Sequence, residues 1–242
     1  MTALVFTVAQ NGYAGAYADC LRSQRAYADR IGATYVAVTR PWRVPQPALA
    51  AWLKMPLLAG ALDGGYEWVA FIDSDARVRE DAPDYRTVGG RPGHVHMARG
   101  RSGRLNSGVV FAQRGGGSRQ FMSALLGSIT EDVPEDDRRH LKYENGNVIR
   151  VARETGTVEE LPLSWNNTHD PELHDHIRHF TGPLRAEHTR SALSERVFRF
   201  RRSLVSTPSS QPVRRDEGFR SDLDALTVHC QRRDPRLVTP PG

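Results

Sequence analysis

Two aspartates, Asp73 and Asp75, follow directly on the apolar run Trp68-Val69-Ala70-Phe71-Ile72. A strand that ends in Asp-x-Asp brings two carboxylates to the lip of a sheet, where a hard divalent cation and a phosphorylated ligand can meet them. Residues i and i+2 of a strand share a face, so both carboxylates can reach one ion or its waters. Oxygen ligands favour Mg²⁺ or Mn²⁺, which bind through a few carboxylates plus substrate phosphates. A capping or turn pair is the structural alternative. His179-Phe180-Thr181-Gly182-Pro183-Leu184-Arg185 offers an imidazole that suits Mn²⁺ and a guanidinium that forks onto phosphate oxygens. His169, His174 and His176 lie in the same region, where a histidine serves equally well at the surface or in packing.

Two further groups are polar. Leu105-Asn106-Ser107-Gly108 is either a turn or a substrate contact before a strand, and Tyr143-Glu144-Asn145-Gly146-Asn147 puts a carboxylate beside an amide where a helix cap is also expected. Lys54 lies on the helix ahead of the Asp-x-Asp strand, where a lysine is solvated or in reach of a phosphate or sugar.

These residues need a scaffold. Leu4 to Val8 reads as a buried strand, Tyr13 to Ile31 as a helix ended by Gly32, and Thr34 to Val38 as a second strand, which is a βαβ opening. Pro41, Pro45 and Pro47 mark a loop before a helix over Ala50 to Leu62, closed by Gly64-Gly65. Strands are expected at 94–98, 108–112 and 157–161, and helices at 118–126 and 145–154. An α/β sheet of mostly parallel order follows. The segment 131–140 reads as solvated, 186–202 as amphipathic and basic, and the chain from Ser206 as Ser/Pro/Arg-rich with a weak helical patch at 223–228.

A chain of 242 residues with 39% hydrophobic and 25% charged residues suits one globular domain plus a tail. The net charge of +5 gathers between Arg77 and Arg119 and again after Arg185, and calls for anionic partners of any kind. Cys20 and Cys230 make no disulfide framework. The first residues carry no charged leader and no run reaches a membrane span, so a cytoplasmic protein is expected. Nothing in the sequence sets the oligomeric state.

In order and spacing the motifs resemble one family. Thr7-x-x-x-Asn11-x-Tyr13, Lys54, Phe71-Ile72-Asp73-Ser74-Asp75, Leu105-Asn106-Ser107-Gly108, Glu144-Asn145-Gly146, Leu161-Pro162-Leu163-Ser164-Trp165-Asn166 and His179-x-x-Gly182-x-x-Arg185 look like the glycogenin and lipopolysaccharide-galactosyltransferase family. Residues 66–76 are also similar to the fungal and plant galactosyl/xylosyltransferase family. The resemblance implies a GT-A (nucleotide-diphospho-sugar transferase) fold, a single Rossmann-like domain with a mixed central sheet over residues 1–185, and 186–242 as a basic helix and tail. It implies a metal-dependent retaining hexosyltransferase with a nucleotide diphosphate sugar donor, UDP-linked, and a small-molecule or glycan acceptor. Thr7, Val8, Ala9, Asn11 and Tyr13 would hold the nucleotide. Asp73, Asp75 and His179 would bind Mn²⁺ or Mg²⁺, with Ser74 among the residues that bind the donor and Asp73 also facing the ribose. Gly182, Lys54 and Arg185 would serve the diphosphate or sugar, Asn106 and Ser107 the donor sugar, and Glu144 and Asn145 would flank the anomeric carbon. The chain departs from the family in having Glu144-Asn145 for Asp-Gln and Arg185-Ala186-Glu187 for Lys-Pro-Trp.

Two other chemistries are open to these residues. A haloacid-dehalogenase-type phosphatase would use Asp73 as nucleophile, but Arg77 stands where Thr or Val belongs, and Glu159-Glu160 is the nearest acidic pair after Lys142. A basic nucleic-acid-binding module leaves the Asp-x-Asp unexplained, so no nucleic-acid partner is expected. The arginines at 77, 79, 86, 91, 99, 101 and 104 suit an anionic acceptor or a solvated loop.

Overall fold

The computed structural model describes residues 1–138, 143–189, 192–203 and 215–241. Its strands are β1 (Ala3–Val8), β2 (Thr34–Val38), β3 (Trp68–Ile72), β4 (Ala76–Val78), β5 (Val95–Ala98), β6 (Val109–Gln113), β7 (Val158–Leu161) and β8 (Ile177–His179). Six form one sheet in the order β2-β1-β3-β6-β5-β7, and β4 pairs with β8 in a small second sheet. The β1–β2, β1–β3 and β5–β7 pairs are parallel, whereas β6 runs antiparallel to both β3 and β5. The sheet is therefore mixed, because β6 enters from the turn beside Asp73 and runs back along β3.

Alternation along the strands gives the sheet two buried faces. Leu4, Phe6, Val69, Phe71, Val110 and Ala112 belong to one core cluster, while Ala3, Val5, Trp68, Ala70, Ile72, Val109 and Phe111 belong to the other. Strands buried on both faces read as continuous apolar runs, which is why β3 stood out.

The helices are α1 (Tyr13–Ala16), α2 (Ala18–Arg30), α3 (Pro47–Trp52), α4 (Lys54–Asp63), α5 (Gly116–Gly127), α6 (Glu135–Arg138), α7 (Asn145–Thr155), α8 (Ala192–Ser203) and α9 (Glu217–Arg233). The helix expected over 13–31 is broken at Tyr17 (φ −124°, ψ 36°), whose ring sits 4.7 Å from that of His188. The helix expected over 50–62 starts earlier and divides after Trp52, since Pro56 has no N–H to give the Trp52 carbonyl. Asp137 belongs to the segment read as solvated, yet it is buried against Arg153 at 2.8 Å.

The last segment is larger than its sequence pattern conveys. The weak patch at 223–228 is part of the 17-residue α9, capped by Asp216, whose side chain accepts from Phe219 N. Phe219, Leu223 and Cys230 of α9, with Leu237 beyond it, lie in the main core. Residues 206–214 of the Ser/Pro/Arg-rich stretch lie outside the described residues. Both cysteines are free and buried. Among the described residues no helix is long and apolar enough to cross a membrane.

Leu223 is fully buried, so Leu223→Ala should destabilise the whole chain by about 2–5 kcal/mol in denaturant unfolding. A loss under about 1 kcal/mol would mean that α9 does not share the core.

Candidate active site at the end of the third strand

Beyond Ile72 the chain turns through Asp73-Ser74-Asp75 into β4, and five hydrogen bonds to its backbone fix that turn. Asp73 N donates to Gly108 O (2.7 Å), Ala76 N to Asp73 O (3.0 Å) and Phe180 N to Asp75 O (2.8 Å). Gln24 of α2, fully buried, donates through Nε2 to both Asp73 O (2.9 Å) and Ala76 O (2.8 Å). Pairing of β4 with β8 places His179 opposite Ala76, across from the two carboxylates.

His179 Nε2 lies 3.3 Å from Asp75 Oδ1 and 3.6 Å from Asp73 Oδ2. One ligand atom from each of the three residues falls within 4.8 Å of the others, a donor set of two carboxylates and one imidazole. The ring orientation is set by a chain of amides. Gly108 N donates to Asn106 Oδ1 (2.9 Å), which identifies that atom as the oxygen. The Asn166 atom facing it at 2.9 Å is then the amide nitrogen, so Asn166 Oδ1 faces His179 Nδ1 at 3.0 Å. His179 therefore donates from Nδ1, leaving the Nε2 lone pair aimed at the carboxylates in the neutral ring, as a metal-binding histidine requires.

Gly108 makes the convergence possible. A Cβ there would fall 2.4 Å from His179 Cε1 and 2.8 Å from Asp73 Oδ2.

Electrostatics follow from burial among charges. About a third of the Asp73 side chain remains accessible (31%). Its surroundings nevertheless raise the carboxyl to about 6: desolvation dominates, and Lys54 and His179 oppose it. Asp75 is also desolvated, but His179 and Arg185 hold its carboxyl below the usual range. Desolvation disfavours the charged His179 ring, and Asp75 and Asp73 outweigh it, so its pKa is raised.

Lys54 is not solvated. Desolvation works against its charge, but Glu144 and Asp73 outweigh it and raise its pKa. Nζ pairs with Glu144 Oε1 at 2.7 Å, donates to Ser107 O at 3.0 Å and lies 5.0 Å from the Phe71 ring centre. Ser107 Oγ donates to the same Glu144 oxygen (2.9 Å), and among the described residues Oε2 accepts no hydrogen bond. Asn145 is committed to the 105–107 turn, accepting from Ser107 N (3.0 Å) and donating to Leu105 O (3.0 Å).

The residues expected to hold the nucleotide lie at the end of β1. Thr7 Oγ1 and Gln10 Oε1 are buried and, among the described residues, have no hydrogen-bond partner. Val8 and Ala9 complete the strand end, with Ala9 N on Val38 O (2.9 Å). Asn11 is committed to Val44, accepting from its N (2.8 Å) and donating to its O (3.2 Å). Tyr13 stacks on Tyr17 with ring centres 5.8 Å apart and meets Phe198 of α8 edge-on at 5.2 Å. Ser74 is buried. Gly182 has φ +49°, a left-handed conformation that favours glycine, and Arg185 is exposed.

Asp19, Cys20 and His188 form a second group with ligand atoms close together. Arg77 occupies it as the ion-pair partner of Asp19, and burial pushes the Cys20 thiol up to about 12, so it is an ion-pair network. Gln24, Gly108 and the ring-orienting role of Asn166 have no sequence signal beyond a glycine before a strand and an asparagine after Ser-Trp.

No family model matches the chain, and no curated protein matches it in sequence. Solved structures do. A glycosyltransferase involved in the glycosylation of the major capsid of PBCV-1 superposes with a TM-score of 0.60 at 16% identity, covering 78% of this chain and 98% of that one. The fold is the GT-A glycosyltransferase fold. The apo-form glycosyltransferase GlyE of Streptococcus pneumoniae TIGR4 matches with a TM-score of 0.51 at 13% identity, over 87% of this chain and 66% of its own. The chain thus spans just under two thirds of GlyE. In this GT-A chain the Asp73-Ser74-Asp75 turn lies beyond the carboxyl end of β3, the edge where α/β sheets bind ligands.

Gly108→Ala should displace the His179 ring or the Asp73 carboxylate. We expect Mn²⁺ affinity, read by calorimetry, to fall at least tenfold; unchanged affinity would show that the three side chains do not bind one ion.

Proposed function

We propose that the chain is a metal-dependent retaining glycosyltransferase that moves a hexose from a UDP-sugar to an acceptor hydroxyl. The observation that carries this reading is the convergence of Asp73, Asp75 and His179 Nε2, with the ring held in the metal-binding tautomer by Asn166. Two carboxylates with one imidazole suit Mn²⁺ well and Mg²⁺ less so. When bound, the ion supplies positive charge to the diphosphate as it leaves.

The remaining roles fall to the chain itself. The segment Thr7, Val8, Ala9, Asn11 and Tyr13 receives the nucleotide, with Thr7 and Gln10 offering unpartnered polar atoms. Ser74, buried between the two aspartates, belongs with the residues that bind the donor. Gly182 brings backbone to the diphosphate and Arg185 adds charge to it. Asn106 and Ser107 line the donor sugar. The bond from the anomeric carbon to the phosphate oxygen breaks as a bond from the acceptor oxygen forms on the same face. The acceptor proton passes to the departing phosphate oxygen, so no strong base is needed. Glu144, held through one oxygen by Lys54 and Ser107, steadies the cation-like sugar with its other oxygen. Asn145 holds the turn that carries Asn106 and Ser107, and Lys54 fixes the position of Glu144.

The phosphatase reading is not favoured. Glu159 and Glu160 pair with Arg91 at 2.6 Å and Arg99 at 2.8 Å, away from Asp73, and Lys142 lies outside the described residues.

Saturating UDP with Mn²⁺ should raise the melting temperature by roughly 5–10 °C, with slow Mn²⁺-dependent hydrolysis of a UDP-hexose. Asp75→Asn should abolish both effects. Release of phosphate from a generic phosphoester with no nucleotide response would overturn the assignment.

A further inference from the structure

Seven arginines between residues 77 and 104 gave the sequence its basic stretch, and the structure sorts them. Arg77 pairs with Asp19, Arg79 with Asp81, Arg86 with Asp84, Arg91 with Glu159 and Arg99 with Glu160. Among the described residues Arg101 and Arg104 have no carboxylate partner. They share one short loop, closed by Gly100 N on Arg104 O (2.9 Å) and by an isolated bridge between Arg99 and Leu105.

That loop adjoins the site. Arg101 N donates to Thr168 Oγ1 (3.2 Å), and a Cβ built on Gly100 would lie 3.4 Å from Asn106 Cβ. Asn106 is the anchor of the amide chain that orients His179. On its other side Thr168 contacts the turn at Gly182, where a Cβ would lie 3.5 Å from Thr168 O. The loop thus borders both the residues assigned to the donor sugar and the turn assigned to the diphosphate.

Arg104 is half-buried, and among the described residues its guanidinium, including the buried Nη1, has no hydrogen-bond partner. A guanidinium partly withdrawn from water and without an acceptor is costly, and part of that cost is recovered when an anion accepts from the group. A solvated basic loop would leave that nitrogen in water.

Resting on the transferase reading above, we propose that Arg101 and Arg104 form the anion-recognition element of the acceptor subsite, so that the acceptor carries a phosphate or carboxylate beside the hydroxyl that receives the sugar. A guanidinium fork suits either anion, and the chemistry shared by the two is a planar or tetrahedral oxyanion reached by paired N–H groups.

The test uses the full chain saturated with UDP and Mn²⁺, so that the donor diphosphate site is filled, titrated by calorimetry with glucose, glucose 6-phosphate and glucuronate. At least one anionic sugar should bind tenfold or more tightly than glucose, with the two anions separating a phosphate from a carboxylate acceptor. The preference should weaken with added salt and vanish in the double variant Arg101→Gln/Arg104→Gln. Arg79→Gln, which removes an ion-paired arginine elsewhere, should keep it. Equal binding of all three sugars, or a preference that survives the double variant, would overturn the proposal. The response to UDP and Mn²⁺ is read first on the same samples. Its absence would overturn the transferase reading, and the acceptor assignment with it, whereas its presence with no anion preference would overturn the acceptor assignment alone.

Discussion

The carboxylates of Asp73 and Asp75 and the ring of His179 share one small volume because nothing projects from Gly108. Two like charges brought this close repel, and burial strengthens the repulsion. The turn keeps them together because its backbone is pinned from three directions: by the Gly108 carbonyl, by the Gln24 amide reaching from α2, and by Phe180 N from the end of β8. The mixed sheet is what makes this possible. Antiparallel β6 begins at Val109, beside the end of β3, so the chain just before it can carry Asn106, Ser107 and Gly108 into the site.

A second charged pair extends the site in the direction of the proposed sugar. Lys54 and Glu144 are almost wholly withdrawn from water, at 7% and 6% exposure, and such a pair holds only where further hydrogen bonds satisfy both partners. Ser107 does this for each, through its carbonyl to Lys54 and its hydroxyl to Glu144. One residue thus links the two charges to the strand end that faces the Asp-x-Asp turn. Changes of length at Glu144 would be felt at once at Lys54, so the carboxylate here is one methylene longer than the resemblance leads one to expect without being free to move.

Much of the scaffold was legible in the sequence because strands buried on both faces are continuous apolar runs: β1, β2, β3 and β6 were each expected within a residue or so of their observed limits. The pairing directions were less legible, since a sheet's order depends on contacts that no local pattern encodes: the mixed sheet was expected from the family resemblance, while the antiparallel course of β6 was not specified by any local signal. The α9 helix reads weakly because charged and small residues interrupt its apolar positions, and only tertiary packing of Phe219, Leu223 and Cys230 shows its buried face. In the site, residue types that bind cations stood out by chemistry and spacing. Gln24 and the orienting role of Asn166 did not, because an amide that hydrogen-bonds a distant backbone or ring leaves no periodic trace. Lys54 was visible as a lone lysine on an apolar helix, but its partner Glu144 is 90 residues away and the pairing appears only in three dimensions.

The central claim is that one ion and one diphosphate meet at the end of β3. A crystal structure of the chain soaked with Mn²⁺ and UDP tests it most directly. The account predicts anomalous density for Mn²⁺ bonded to Asp73, Asp75 and His179 Nε2, with both UDP phosphates beside it and Asn166 still on His179 Nδ1. Manganese bound elsewhere, or UDP bound away from the Asp73-Ser74-Asp75 turn, would contradict it.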